Sequence, residues 1–272
     1  MAPRPELAIP TTLPLPDRLR LSSTSTDALK TLSKLSRPSL ISLALDWLKD
    51  AHRKSCTPYT LSTSEQLPEL DAGIYDPAQD VEDLIEIYHG LQARKGSKKE
   101  IVDRILEGDW RHGLSLYQLA TAETRYLLEH QNSQRWCALQ LTPAAAAGTK
   151  GPAEKHKMPR FHAATFLRNL KQELAPAVKA HYYMTRDERL QCAVVRVQIY
   201  ELPYNTQKAL RESTAIEHAT IVSEGSKAVF IAFPDSTPYV YFSVSSAGVM
   251  SDDGIAKSVR QIVMAVRLAI RF

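Results

Sequence analysis

The sequence has few of the residues and patterns that mark disulfide-rich, metal-binding or membrane-spanning proteins. Its three cysteines, Cys56, Cys137 and Cys192, are odd in number and widely spaced, which argues against a disulfide framework and a zinc module and favours a reducing compartment. No apolar run approaches the roughly 18 residues of a membrane span. The opening "MAPRPELAIPTTLPLPD" lacks the apolar core of a signal peptide. We therefore expect an intracellular protein, cytosolic or nuclear, that does not contact a membrane.

Recognisable catalytic motifs are missing as well. The chain has no G-x-S-x-G, no phosphate-binding loop, no H-E-x-x-H and no C-x-x-C. The eight histidines are scattered, and His156 and His162 have no metal-ligand set nearby. We therefore expect no enzyme activity, no bound metal and no cofactor.

The overall charge is only mildly basic. The chain has 34 Lys and Arg and 30 Asp and Glu, which gives a formal net charge of +4. This charge is compatible with an anionic partner but far from the composition of a basic tail. The placement of the charges must therefore identify any partner. Hydrophobic residues make up 44% of the chain, which is enough for one large core or two smaller ones. We expect two domains.

The first half of the chain is predicted to be helical. Residues 1–24 are expected to form a flexible Pro/Ser/Thr-rich start, with folded structure beginning near Thr26. A helical domain is predicted over residues 25–142, interrupted by an acidic loop at 55–80. Helical spacing of apolar residues marks "TDALKTLSKL", "SRPSLISLALDWLKDAHRK", "VEDLIEIYHGLQ" (ending near Gly90), "KKEIVDRIL" and "LSLYQLATAETRYLLEHQNSQRWCALQL". The last of these is expected to be helical to about Leu141, with a break at "HQNS" as the alternative.

The second half changes in composition and in period. Residues 143–157 are predicted to be a linker, and residues 158–272 an α+β domain. "MPRFHAATFLRNLKQELAPAVKAHYYMT" is predicted to be one helix, or two broken near Pro176. Antiparallel strands follow in "CAVVRVQIY", "HATIVSEG", "KAVFIAFP" and "PYVYFSVSS", the last two joined by "FPDSTPY". The final "SVRQIVMAVRLAIRF" keeps helical spacing without a stop signal, so we expect a longer protein.

One predicted helix begins with an unexpected group of cations: Arg94, Lys95, Lys98 and Lys99. A helix start disfavours cations because the aligned peptide dipoles leave partial positive charge there. Ser97 followed three residues later by Glu100 matches a capping box and fixes this start, while Gly96 in the turn can take a positive φ. Free backbone N–H groups beside four cations suit a phosphate. The stretch therefore predicts contact with nucleic acid.

Other interpretations of these charges stay open. A group of cations in a surface turn is often only a solvated face, and Glu100 and Arg104 are spaced as an ordinary helical ion pair. If the first helix packs beside this stretch, Lys30 and Lys34 extend the basic face. The helix, basic turn and following helix are also similar to the SAP module of DNA-binding proteins. The acidic loop could meet a basic histone surface or serve only solubility.

Several stretches together resemble the N-terminal half of the centromere protein N family in its fungal form: "LSKLSRPSLISLALDWL", "ARKGSKKEIVDRILEGDWRHGLSLYQLATAETRYLL", "MPRFHAATFLRNLKQEL" and "KAVFIAFPDSTPYVYFSVSS". The resemblance implies a pyrin-like (death-fold) helical bundle followed by an α/β domain with an antiparallel sheet. It implies a non-enzymatic inner-kinetochore subunit of the nucleus that serves chromosome segregation in mitosis and meiosis. Implied partners are the centromeric nucleosome and its duplex DNA, a centromere protein L counterpart bound through a C-terminal region beyond this chain, and other inner-kinetochore subunits.

By position, the resemblance assigns basic residues of the family's DNA groove to Lys30, Lys34 and Lys99. Vertebrate members also carry acids at the start of the first helix, facing a loop of the centromeric histone, whereas residues 22–26 here supply hydroxyls. We therefore expect DNA contact to dominate over direct reading of that histone. The alternatives are a protein-interaction adaptor without direct DNA binding and a SAP-like DNA-binding module. The predicted DNA-binding residues are Lys30, Lys34, Arg94, Lys95, Lys98 and Lys99.

Overall fold

A computed structural model of the chain describes residues 14–21, 26–62, 75–141, 162–175, 179–200, 220–221 and 227–244, together with Ile262 and Val266. These residues belong to two compact units, and each is described by itself. The first unit, the helical unit, contains the described residues between Leu15 and His130 and the pair Thr220–Ile221. The second unit, the sheet unit, contains those between Gln131 and Tyr200 and from Lys227 onward. The predicted linker at 143–157 lies outside the described residues.

In the helical unit, the described chain forms five α-helices. They are α1 (Thr26–Lys34), α2 (Arg37–Leu48), α3 (Val81–Ala93), α4 (Lys98–Asp103) and α5 (Leu116–Glu129). A π-helical segment, Arg104–Asp109, continues α4, and a two-residue strand β1 (Arg20–Leu21) pairs in parallel with β5 (Thr220–Ile221).

Local capping residues determine where these helices begin. Ser36 and Asp80 accept hydrogen bonds from the backbone N–H groups of residues 39 and 83, at 3.3 and 2.8 Å. At α5 the cap is reciprocal, because Ser115 accepts from the N–H of Gln118 while the Gln118 side chain accepts from the N–H of Ser115. Each cap satisfies N–H groups that have no partner within the helix.

One apolar cluster forms the core of the helical unit. Trp47 and Trp110 meet edge to face at its centre, with ring centroids 5.3 Å apart. The indole N–H of Trp47 donates to Thr121, and that of Trp110 donates to the backbone oxygen of Cys56. Both tryptophans are therefore anchored by polar bonds at their rims, as buried indoles usually are. All five helices contribute to the cluster, α5 through Ala122, and it includes Leu32, Leu40, Leu84, Ile101 and Ile105.

In the described part of the sheet unit, five antiparallel strands carry helix α6 on one face. The strands are β2 (Arg135–Gln140), β3 (Lys179–Asp187), β4 (Cys192–Tyr200), β6 (Lys227–Pro234) and β7 (Tyr239–Val244), in the order β2-β7-β6-β4-β3. The helix α6 (Ala163–Leu174) buries Phe166, Leu170 and Leu174 against that face. Phe166 meets Phe233 of β6 edge to face at 4.8 Å. The mixed α+β class is therefore confirmed.

Two predicted helices are strands in their second halves. The helix expected to continue to about Leu141 ends at Glu129, at the alternative break before "HQNS", and Arg135–Gln140 pairs with β7 instead. The helix expected over "KAHYYMT" is strand β3, in which Ala180, Tyr182 and Met184 alternate onto the core face of the sheet. Pairing with partner strands makes these segments strands, because β propensity depends on the neighbours that a side chain packs against and not on the local sequence alone.

The boundaries of two further predictions also move, and one connection is confirmed. Packed structure precedes Thr26, because Leu21 is fully buried and its N–H donates to the oxygen of Leu114 at 2.8 Å. Helix α3 continues past Gly90 to Ala93. The connection "FPDSTPY" is confirmed as the turn between β6 and β7. Most of the "HATIVSEG" strand and of the final helix lies outside the described residues, as do residues 63–74 of the acidic loop.

Candidate nucleic-acid interface

The basic turn connects two helices at their ends. Helix α3 finishes at Ala93, the chain runs from Arg94 to Ser97, and α4 begins at Lys98. The hydroxyl oxygen of Ser97 accepts a hydrogen bond from the N–H of Glu100 at 3.1 Å. This is the Ser97 cap that the sequence predicted, and it fixes the direction in which α4 leaves the turn.

The carboxylate of Glu100 takes a different partner from the one the sequence suggested. It forms an ion pair with Arg94 across the turn. The guanidinium of Arg104 instead donates to both carboxylate oxygens of Asp109, at 3.0 and 3.2 Å. The predicted pair between Glu100 and Arg104 is therefore wrong, because Asp109 is buried and requires the nearest cation. Arg94 is therefore partly neutralised by an acid in the first turn of α4.

Gly96 is needed because two side chains approach its backbone closely, and not because the turn requires a positive φ there. Among the described residues, the glycine with a positive φ is Gly113, so Gly96 does not use the positive φ that a glycine can take. A Cβ atom at Gly96 would lie 2.5 Å from Oε2 of Glu100 and 3.1 Å from Nη2 of Arg37. The absence of a side chain therefore lets Arg37 and Glu100 approach the backbone of the turn.

Arg37 is a cation that the sequence analysis missed. It is the first residue of α2, and its Nη2 donates to the backbone oxygen of Leu91 near the end of α3, at 2.6 Å. A signal was present in the sequence, because Arg37 stands at a helix start beside a serine cap, just as Lys98 does. Arg37 thus joins the start of α2 to the end of α3 and lies against the basic turn.

Helix α1 packs beside the basic turn and the start of α4. Lys30 and Lys34 of α1 are expected to extend the basic face only if it does so. The ammonium of Lys98 donates to the backbone oxygen of Ser33, in the last turn of α1, at 2.6 Å. A cation suits this position because the carbonyl groups at a helix end carry partial negative charge. Lys98 therefore stabilises the contact between α1 and α4, at the residue that directly precedes Lys34.

The six residues predicted to bind DNA are all exposed on the helical unit. Lys34 lies over the ring of Tyr126, 5.7 Å from its centroid. Within the part of the chain that the structure describes, Lys30, Lys95 and Lys99 form no ion pair. We call these six side chains, contributed by α1, the turn and the start of α4, the basic surface: Lys30, Lys34, Arg94, Lys95, Lys98 and Lys99.

Burial shifts the pKa values of two side chains inside the helical unit, Cys56 and Asp109. Burial raises the pKa of Cys56 to about 12, and burial also raises the pKa of Asp109, against the opposing effect of Arg104. Across the described residues, no group of three or more His, Cys, Asp or Glu side chains could hold a metal ion. No described helix is both long and apolar enough to cross a membrane.

Comparison with known proteins identifies the family. The family model described as "Centromere protein Chl4/mis15/CENP-N" matches residues 22–271, which is most of the chain. The "Inner kinetochore subunit CHL4" of Saccharomyces cerevisiae is 24% identical over 187 residues, which cover 64% of this chain and 37% of the yeast protein. The resemblance seen in the sequence is confirmed: the chain belongs to the centromere protein Chl4/mis15/CENP-N family, whose members are inner-kinetochore proteins at the centromere in the nucleus.

Proposed function

We propose that this kinetochore subunit binds the DNA of centromeric nucleosomes, without catalysis, through the basic surface. The observation that carries the proposal is the contact between Lys98 and Ser33, because it joins cations from two separate elements into one exposed face. Lys and Arg side chains bind the phosphates of duplex DNA and release its condensed counterions. Such contacts position a protein on the duplex without reading its bases.

The wider assignment follows the family. The helical unit is proposed to be a pyrin-like bundle, and the proposed partners are a centromere protein L counterpart and other inner-kinetochore subunits. The subunit would thus link nucleosomal DNA to the rest of the kinetochore. Because binding is expected to depend on phosphate contacts, specificity for the centromere is proposed to come largely from those partners.

A salt titration of DNA binding tests the proposal. The 272-residue protein is added to a fluorescently labelled duplex, and anisotropy gives the affinity between 50 and 200 mM salt. If about four phosphates are neutralised, the log–log slope is roughly −3.6. Binding that is absent at low salt, or independent of salt, would contradict the proposal.

Charge reversal locates the binding surface. Lys95→Glu with Lys99→Glu should reduce the magnitude of the slope by about 1.8, since each phosphate contact contributes about 0.9. Lys98 is left intact because it also holds α1. The matched control is Lys49→Glu with Lys54→Glu, beyond the far end of the 12-residue helix α2, which spans about 18 Å. Equal loss of DNA affinity in both double variants would show that DNA does not bind at the basic surface.

A second candidate function is a protein-interaction adaptor. Strand β2 lies at one edge of the described sheet, with four of its six residues exposed. An exposed strand edge can pair with an extended segment of a partner. Under this alternative the protein binds kinetochore subunits but not duplex DNA, and the same anisotropy titration distinguishes the two functions.

A further inference from the structure

Ser97 combines three properties of a protein-kinase substrate. Ser97 is exposed. The backbone is extended both at Arg94 (φ −106°, ψ 154°) and at Ser97 (φ −80°, ψ 153°). Arg94 and Lys95 stand three and two residues before it. Basophilic serine kinases select substrates by this pattern of preceding cations, which acidic groups around their active sites bind.

We propose that Ser97 is the acceptor for a basophilic serine kinase and that its phosphorylation prevents the basic surface from binding DNA. The second half of this proposal rests on the proposed DNA binding. The first half, the identity of the acceptor, does not. The modification converts a surface that attracts phosphate into one that already contains a phosphate.

The chemistry is a phosphoryl transfer from Mg-ATP. Oγ of Ser97 attacks the γ-phosphorus of ATP, the bond from that phosphorus to the β–γ bridging oxygen breaks, and ADP leaves. The hydroxyl proton passes to the catalytic base of the kinase. In the folded protein, Oγ of Ser97 accepts the Glu100 N–H at 3.1 Å, so this bond leaves the hydroxyl hydrogen free for transfer.

The phosphate would act on the surrounding cations without unfolding the turn. A phosphoserine carries a charge of about −1.5 to −2 at neutral pH. Arg94, Lys95, Lys98 and Lys99 all lie within three residues of Ser97, so the new charge competes with DNA for the same side chains. Negative charge also suits a helix start, and α4 should therefore keep its position.

Ser36 provides a matched comparison within the helical unit. Ser36 is also exposed and caps helix α2. However, the residue three positions before it is Ser33 and not a cation. Asn caps a helix about as well as Ser and cannot be phosphorylated. Ser97→Asn and Ser36→Asn therefore each remove one acceptor while keeping one cap.

The first experiment identifies the acceptor. The 272-residue protein is incubated with Mg-ATP and a purified kinase that requires arginine three residues before its target, and the modified residue is located by mass spectrometry. We expect phosphate on Ser97 in the wild type and in Ser36→Asn, and its loss from that position in Ser97→Asn. Phosphorylation that avoids Ser97, or an unchanged total in Ser97→Asn, would overturn the assignment.

The second experiment measures the consequence. Phosphoserine is incorporated at position 97 during translation, and DNA affinity is compared with that of the unmodified protein and of Ser97→Asn. If two phosphate contacts are lost, affinity at 100 mM salt should fall on the order of tenfold to a hundredfold, while Ser97→Asn binds like the wild type. Unchanged affinity and slope on phosphorylation would overturn the regulation. Failure of the unmodified protein to bind would contradict the proposed function instead, and the acceptor assignment would stand on the first experiment.

Discussion

The hydroxyl of Tyr88 donates a hydrogen bond to Oδ2 of Asp109, 2.8 Å away, inside the helical unit. Both side chains are almost completely buried. Arg104 donates to both oxygens of the same carboxylate, and the backbone oxygen of Asp109 accepts the N–H of Tyr59 at 2.7 Å. Asp109 therefore joins α3 to the π-helical segment through its buried carboxylate, and holds the loop after α2 through its backbone oxygen.

Removing the charge of Asp109 should destabilise the helical unit strongly. Asp109→Asn leaves the Arg104 guanidinium, whose side chain is 13% exposed, without its counter-charge, and such a change costs about 3–5 kcal/mol. Tyr88→Phe keeps the ion pair and should cost about 1–2 kcal/mol. The free energy of unfolding is measured by denaturant titration in a Trp136→Phe background, where Trp47 and Trp110 report on the helical unit alone.

Glu86→Gln is the control for Asp109→Asn, because Glu86 is exposed on α3. It should change the free energy of unfolding by no more than about 0.5 kcal/mol. An Asp109→Asn variant as stable as this control would mean that the buried pair contributes nothing to the fold.

Cys56 should resist alkylation in the folded protein, whereas Cys137 should react. The thiolate is the reactive form, and burial raises the pKa of Cys56 to about 12, so its thiol stays protonated at pH 8. Cys137 is exposed on β2, while Cys192 is buried and its pKa is also raised by burial. Iodoacetamide followed by mass spectrometry should label Cys137 first, and all three thiols once urea is added. Labelling of Cys56 and Cys137 at equal rates in the native protein would contradict the assignment.

The same pKa predicts loss of stability at alkaline pH. In the unfolded chain a thiol ionises near pH 8.5, whereas folded Cys56 keeps its proton up to about pH 12. Unfolding therefore releases a proton within this window, and the free energy of unfolding falls as pH rises through it. Cys56→Ser removes that thiol, so the slope of stability against pH between 8.5 and 10 should become shallower than in the wild type. An unchanged slope would show that Cys56 does not contribute.

Helix starts could be predicted from the sequence, whereas several strands could not. Ser97 and Glu100 determine a cap by themselves, since the bond joins residues three apart. The strand at Arg135–Gln140 exists because it pairs with residues 239–244, about a hundred residues later. No window of local sequence contains that partner, so apolar spacing alone favoured the wrong period.

The candidate site follows the same rule. The exposed cations of the turn could be predicted, because they adjoin a helix start that the sequence itself defines. Their partners could not, since the bond from Lys98 to Ser33 and that from Arg37 to Leu91 join residues 65 and 54 positions apart. Only the packing of α1, α2 and α3 around the turn determines which of the cations donate hydrogen bonds to backbone oxygens of the protein.

Two glycine substitutions should have opposite effects on stability. Gly90 lies within α3 with no atom within 4 Å of an added Cβ, so Gly90→Ala should stabilise the helical unit by about 0.5–1 kcal/mol. Gly96→Ala must displace the ends of Glu100 and Arg37, and should weaken the half-exposed contacts that they make, at a cost of up to about 1 kcal/mol. The tryptophan-monitored titration described for Asp109 measures both. Equal stabilisation by the two variants would show that the turn does not need its glycine.

Removing the charge of Glu100, which pairs with Arg94 of the basic turn, should strengthen DNA binding, if the proposed function is correct. Glu100→Gln frees Arg94 from its ion pair and keeps the backbone N–H that Ser97 caps. With one more cation available, the log–log salt slope should steepen by up to about 0.9, and affinity at 100 mM salt should rise severalfold. Glu86→Gln removes the same charge about two turns before the end of α3 and provides the control. If both variants raise affinity equally, the gain reflects net charge alone; a larger gain for Glu100→Gln means that Arg94 contacts DNA directly once it is released.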